Sequence, residues 1–286
     1  MKLLRYGAKG EEKPGILDKD GRIRDLSEFI SDINVEILSP HGLSKLNALD
    51  IAKLPIVDDP IRFGIPYHGI GKIICVGLNY RDHAAETGQE VPDEPVLFLK
   101  AISALSGPND PVVLPKGSLK SDWEVELGVV IGRKARYVCR NEALSHVAGY
   151  CIVNDLSERA FQLERDGQWD KGKGCDTFGP VGPWLITTEE ISDPQTLDLW
   201  LDVNGIRVQA GNTKTMVFDV ATLISYISQF MTLNPGDLIS TGTPPGVGLG
   251  RTPPVYLRAG DTMRLGISGL GEQEQQVFAW DAALLD

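Results

Sequence analysis

Long apolar runs are missing from this 286-residue chain. Nothing approaches the roughly 18 residues of a membrane span, and the start MKLLRYGAKG has no apolar signal core. A cytoplasmic protein is therefore expected, and a membrane-embedded one is not. Positive charge is also scarce: Lys plus Arg number 28 against 39 Asp plus Glu, for a formal charge of -11. That balance repels phosphate backbones and anionic lipid, so no nucleic-acid partner and no membrane partner is expected. Cysteine is rare (Cys75, Cys139, Cys151, Cys175) and never in the CxxC spacing that grips zinc or runs redox chemistry. Three of the four have apolar or aromatic neighbours, in ICVG, YVCR and YCIV, where cysteine packs as a small core residue. All four read as structural free thiols. Internal repeats, low-complexity blocks, a G-x-S-x-G elbow and a phosphate loop are absent as well.

What remains is ordinary globular composition, 42% hydrophobic and 23% charged, and enough chain for one large domain or two unequal ones. Residues 1–70 read as a small leading module of short strands, with Asp20-Gly21 as a tight turn. A proline-bearing connector, KLPIVDDPIRFGIPYHG, closes this stretch. From there the pattern of a larger domain, 71–286, begins. KIICVGLNY reads as a buried strand, YRDHAAETGQ as helix-compatible, EPVLFLKA as a strand, and GYCIVNDLSER as a strand running into a turn or helix. Val220, Leu223, Ile224, Ile227, Phe230 and Met231 fall at helical spacing between Asp219 and the turn signal Asn234-Pro235-Gly236. The fold class is α+β and strand-rich.

In Asp122-Trp123-Glu124-Val125-Glu126-Leu127 the strand period of two puts the three acids on one face and the apolar residues on the other. The uniformly apolar GVVIG follows, so the carboxylates stand at the mouth of a buried strand. A hard divalent cation fits that setting; a solvated strand face fits the segment alone equally well. Asp155 ends a second apolar strand, either as a further oxygen ligand or as a helix N-cap with Glu158 completing a capping box. Two Glu and one Asp without nearby Cys or His suit Mg²⁺ or Mn²⁺ better than zinc. His83 and Glu86, at i and i+3, share a helix face, an arrangement for a general base or simply an exposed pair. Lys100 and Lys173 are candidate sources of fixed positive charge. The glycine-rich STGTPPGVGLG offers backbone N–H groups that could form a nest for a carboxylate.

Together, GLNYRDHAAETG, EPVLFLK, DWEVELGVVIG, NDLSER, KGCDTFGPVGPW and STGTPPGVG resemble the fumarylacetoacetate hydrolase family, in order and spacing, from Lys72 to the C-terminus. The resemblance implies a mixed β-sandwich or β-roll catalytic domain behind the small N-terminal module, and a metal-dependent homodimer. It implies Glu124, Glu126 and Asp155 as metal ligands, with Mg²⁺ the expected ion and Mn²⁺ an alternative, and His83 with Glu86 as a catalytic dyad. Lys173 stands for the family's active-site lysine, and Arg81, Gln162 and Thr243 for substrate contacts; Asp122 is not expected to be a ligand. The implied activity is hydrolysis of the C3–C4 bond of a 2,4-diketo acid, a small 2-oxo acid, giving pyruvate and a carboxylic acid. The leading segments resemble the bacterial branch acting on 2,4-diketo-3-deoxy sugar acids such as the rhamnonate or fuconate derivative. Ureidoglycolate lyase, oxaloacetate decarboxylase and isomerase or hydratase chemistry stand as enzymatic alternatives. A carboxylate-binding module on a decayed scaffold is the non-enzymatic one.

Overall fold

The computed structural model describes residues 1–58, 61–86, 88 and 90–285. Asp59 and Pro60 of the connector, and Thr87 and Gln89 of the expected helical segment, lie outside it. Two sheets carry the chain. The larger runs, edge to edge, Ile56–Val57, Ile23–Asp25, Lys13–Leu17, Lys2–Tyr6, Gly179–Thr187, Val147–Asn154, Val125–Ile131, Leu238–Ser240, Ile73–Gly77 and Val96–Lys100. Neighbours are antiparallel except Leu238–Ser240 against Ile73–Gly77. The second sheet orders Ile206–Asn212, Asp198–Val203, Thr262–Ile267, Gly271–Phe278 and Val112–Val113. This is the strand-rich α+β architecture the sequence led us to expect.

The unbroken apolar run GVVIG is explained by burial on both faces of the large sheet. Val129 and Ile131 pack into the core shared with the second sheet, beside Leu199, Leu201, Met263 and Leu265. Val130, one residue out of phase, packs into a separate core with Leu3, Ile16, Leu38 and Leu46. Ile74 and Val76 against Ile73 and Cys75 divide in the same way. The leading residues thus supply the cover for one face, and Lys2–Tyr6 pairs directly with Gly179–Thr187.

Asp20-Gly21 is the expected turn: Asp18 Oδ1 accepts from the Asp20 and Arg22 N–H groups, and Gly21 has φ +77°. The helix Val220–Phe230 also forms, capped by Asp219, with Val220, Leu223, Ile224 and Ile227 buried. Phe230, expected on its apolar face, is 61% exposed and stacks edge-on against Tyr226. Cys139 is a further correction, since it is exposed while Cys75 and Cys151 are buried. The aromatic Tyr137 that suggested a core setting is itself 69% exposed.

Candidate active site

The expected continuous strand over 122–127 is broken at Trp123 and Glu124. Ser121–Asp122 pairs with Ser157–Glu158 in a two-stranded ribbon, and Val125–Ile131 enters the large sheet. Trp123 points into the core and donates its indole N–H to Gly246 O. The acids are not on a solvated face: Asp122, Glu124, Glu126 and Asp155 are all buried. The neighbouring strand Val147–Asn154 returns Asp155 to the same place, its N–H donating to Glu124 O. One carboxylate oxygen from each of Glu124, Glu126 and Asp155 lies within 4.8 Å of the others.

Three cations hold these acids. Lys173 Nζ donates to Glu124 Oε2 at 2.6 Å and to Asp155 Oδ2 at 2.7 Å. Lys100, at the end of the edge strand Val96–Lys100, donates to Asp155 Oδ1 at 2.6 Å. Arg159 forks across Asp122 Oδ2 (Nε, 2.9 Å) and Glu124 Oε1 (Nη2, 2.7 Å), and its Nη1 reaches Gln162 Oε1 at 2.9 Å. Asp155 is therefore not the helix cap that its sequence position allowed. Glu158 caps the helix Arg159–Leu163, accepting from Ala160 N.

Glu126 is different. It accepts from the Ser240 hydroxyl at 2.6 Å and the Gly242 N–H at 2.8 Å, but no Lys or Arg among the described residues pairs with it. Burial, then the Asp155 and Glu124 charges, push its pKa well above the ordinary carboxylate range. Burial also works against the Glu124 charge, yet Lys173, Arg159 and His83 overcome it and hold that carboxyl below the ordinary carboxylate range. A divalent cation among the three acids would supply what Glu126 lacks. The all-oxygen donor set fits a hard ion such as Mg²⁺ or Mn²⁺.

His83 and Glu86 lie on the short helix Arg81–Glu86, with His83 Nδ1 3.3 Å from Glu86 Oε2. Burial opposes the Glu86 charge, but hydrogen bonds from His83 and the Gly246 N–H outweigh it and lower its pKa. Leu78, in the turn leading to this helix, has the strained φ of +55°. His83, Glu124, Glu126, Gln162, Lys173 and Thr243 line one narrow cavity of about 50 Å³. Its apolar wall includes Phe98 and Trp169, whose rings meet edge to face at 5.4 Å. Thr243 is held by donation to Val125 O and acceptance from Gln209 Nε2. Arg81 is exposed at the helix start and does not line this cavity.

The glycine-rich turn does form a nest for carboxylates, and they are the chain's own. Gly246 N donates to Glu86 at 2.9 Å, while Gly248 N and Leu249 N donate to Asp122 at 2.7 and 3.0 Å. Sequence reading missed Arg159 and the anchoring role of Asp122. It also missed Gln209, whose amide joins Val125 N to Thr243 across the two sheets. The signal that was present is Asp122 standing two residues before Glu124 on an otherwise apolar segment.

Comparison with known proteins gives the family. Residues 72–278 match the family model described as fumarylacetoacetate (FAA) hydrolase C-terminal. A Burkholderia multivorans protein, named only as a candidate hydrolase, is 63% identical over 276 residues, covering 96% of this chain and 98% of the relative. Maleylpyruvate hydrolase of Sphingobium sp. SYK-6, solved with manganese(II) and pyruvate, superposes with a TM-score of 0.81 at 32% identity, covering 98% of this chain and all 100% of that one. The 2-hydroxyhepta-2,4-diene-1,7-dioate isomerase of Mycobacterium marinum gives a TM-score of 0.74 at 34% identity, covering 98% of each chain.

Proposed function

The chain is an enzyme of the fumarylacetoacetate hydrolase family, and on that premise we propose that it hydrolyses the C3–C4 bond of a 2,4-diketo acid to release pyruvate. The observation that carries this reading is His83, paired with Glu86 at 3.3 Å, lining the same cavity as Glu124 and Glu126, which cluster with Asp155. The similar maleylpyruvate hydrolase, which holds pyruvate, supports it.

Glu124, Glu126 and Asp155 would hold the divalent cation, Mg²⁺ by preference with Mn²⁺ as its alternative. When bound, it supplies Lewis-acid polarisation of the substrate's oxo oxygen. The chain's own groups do the rest. Glu86 fixes the imidazole through Nδ1, and Nε2 is the atom that accepts a proton from the water attacking C4. The oxyanion collapses, the C3–C4 pair passes to C3, and His83 returns the proton there. One water is consumed and two acids result. Lys173, locked between Glu124 and Asp155, presents positive charge to the enolate oxygen of the departing pyruvate. Gln162 spends its oxygen on Arg159, so its amide N–H group is the donor offered to the substrate carboxylate. Thr243 completes the proposed substrate contacts, whereas Arg81, outside the cavity lining, is not given one.

Within this class our preferred substrate is 2,4-diketo-3-deoxy-rhamnonate or -fuconate, on the resemblance of the leading segments. The protein is taken to be a cytoplasmic homodimer burying more than about 1,000 Å², which sedimentation at micromolar concentration tests; among the described residues, no helix is long and apolar enough to cross a membrane. Similarity to an isomerase supports a second reading, double-bond migration with no bond cleavage. Turnover of a diketo-acid panel in ¹⁸O water separates the two. Hydrolysis puts label in the acid from the acyl side, alongside unlabelled-carbon-skeleton pyruvate, whereas isomerisation yields one product of unchanged mass. Full turnover after exhaustive chelation removes the metal from either reading.

A further inference from the structure

We propose that Asp122 is a positioning residue that sets the dyad carboxylate Glu86 and the metal-ligating carboxylate Glu124 in one frame. The inference rests on the reading of the dyad and the three acids as the reacting site.

Asp122 is fully buried, and both of its oxygens are committed. Oδ1 accepts from Gly248 N at 2.7 Å and Trp123 N at 2.8 Å. Oδ2 accepts from Leu249 N at 3.0 Å and Arg159 Nε at 2.9 Å. In one direction the link passes through Arg159, whose Nη2 holds Glu124 Oε1 at 2.7 Å. In the other it passes through the turn, whose Gly246 N holds both oxygens of Glu86 at 2.9 and 3.0 Å.

Other backbone packs closely against this turn at both anchoring positions. Gly246 has φ +110°, and a Cβ there would stand 1.9 Å from Val208 O; a Cβ on Gly248 would stand 1.9 Å from Val255 O. Backbone is thus packed against backbone on both sides of the two anchoring N–H groups. Arg159 is equally constrained, because its planar fork spans two carboxylates and the Gln162 amide at once. Displacing Asp122 therefore displaces a metal ligand and the partner of the base together, although Asp122 touches neither the cation site nor His83.

Asp122→Asn keeps the shape but replaces one acceptor oxygen by a donor. Two readouts test it. Calorimetric titration with Mn²⁺ should show affinity about 10- to 100-fold weaker. In a kinetic cycle with Glu86→Gln, the double variant should lose little more kcat than the worse single variant, with KM for the diketo acid within about twofold of wild type. Wild-type Mn²⁺ affinity in Asp122→Asn, or single losses that multiply in the double variant, overturns the proposal. If Asp122→Asn does not fold, Arg159→Lys is read the same way, since one ammonium cannot span both carboxylates. The Mn²⁺ titration uses no substrate, so a wild-type protein that cleaves no diketo acid defeats the proposed reaction without deciding this link.

Discussion

Lys100 and Asp155 form an ion pair at 2.6 Å in which both side chains are essentially sealed from water. The lysine is no metal ligand, yet it occupies the one oxygen of Asp155 that Lys173 does not. Removing Lys100 leaves Asp155 with Lys173 as its remaining cation, so the cost lies at or below the roughly 3–5 kcal/mol of a fully broken buried pair. Lys100→Met should lower the metal-free unfolding free energy by up to that amount, read from urea denaturation in chelator. With saturating Mn²⁺ the loss should shrink, because a cation beside Asp155 replaces the missing charge. Equal losses with and without metal contradict this account of the pair.

Glu126 gives a pH signature of opposite sign to ordinary acid unfolding. Its folded pKa is raised, by burial first and then by Asp155 and Glu124. Above the unfolded value of about 4.3, the unfolded chain has released a proton that the native state still holds. Metal-free stability should therefore contain a component that falls as pH rises from that value. Glu126→Gln should remove the component and raise metal-free stability near neutrality, while weakening Mn²⁺ binding. A variant less stable than wild type at neutral pH in chelator would refute the assignment.

Asp18 behaves in the ordinary direction. Burial opposes its charge, but hydrogen bonds from Arg22 N, Arg24 and Asp20 N outweigh this and lower its pKa to about 2. The stabilisation is present above the unfolded value of about 3.9, and it is lost as pH falls through about 2. The stability difference between wild type and Asp18→Asn should accordingly be largest near neutrality and vanish across that window. A difference that persists below pH 2 would show that the turn depends on something other than the charge.

The burial of Glu124 and Glu126 was legible only in part: their alternation ahead of the apolar GVVIG placed them at the mouth of a buried strand, but a solvated face fitted that segment equally well. The helix Val220–Phe230 was legible for a local reason, its periodicity and its Asp219 cap. Arg159 was not. In NDLSER it looks like any polar turn residue, and its burial is decided by Asp122, separated from it by 37 positions. Gln209 is set by Val125 N at a separation of 84. The glycine-rich turn was read as a carboxylate nest, but nothing local says that the carboxylates belong to the same chain. Cys139 was misplaced because an aromatic neighbour was taken for a core, when Tyr137 faces outward.

The dyad makes the sharpest prediction about chemistry. His83 lines the cavity and Glu86 holds its Nδ1, while the Gly246 N–H fixes Glu86 in turn. If His83 is the general base, His83→Ala should lower kcat by about 10²- to 10⁴-fold. Mn²⁺ affinity should stay within about threefold, because the imidazole is not among the three clustered acids. Glu86→Gln should cost less. It keeps an acceptor for Nδ1–H but removes the charge that stabilises the imidazolium formed when water gives up its proton. Both losses should fall on kcat rather than KM, the mark of an interaction gained in the transition state. A His83→Ala protein with near-wild-type kcat would mean that water is activated elsewhere, and the hydrolytic mechanism would have to be abandoned even with the metal site intact.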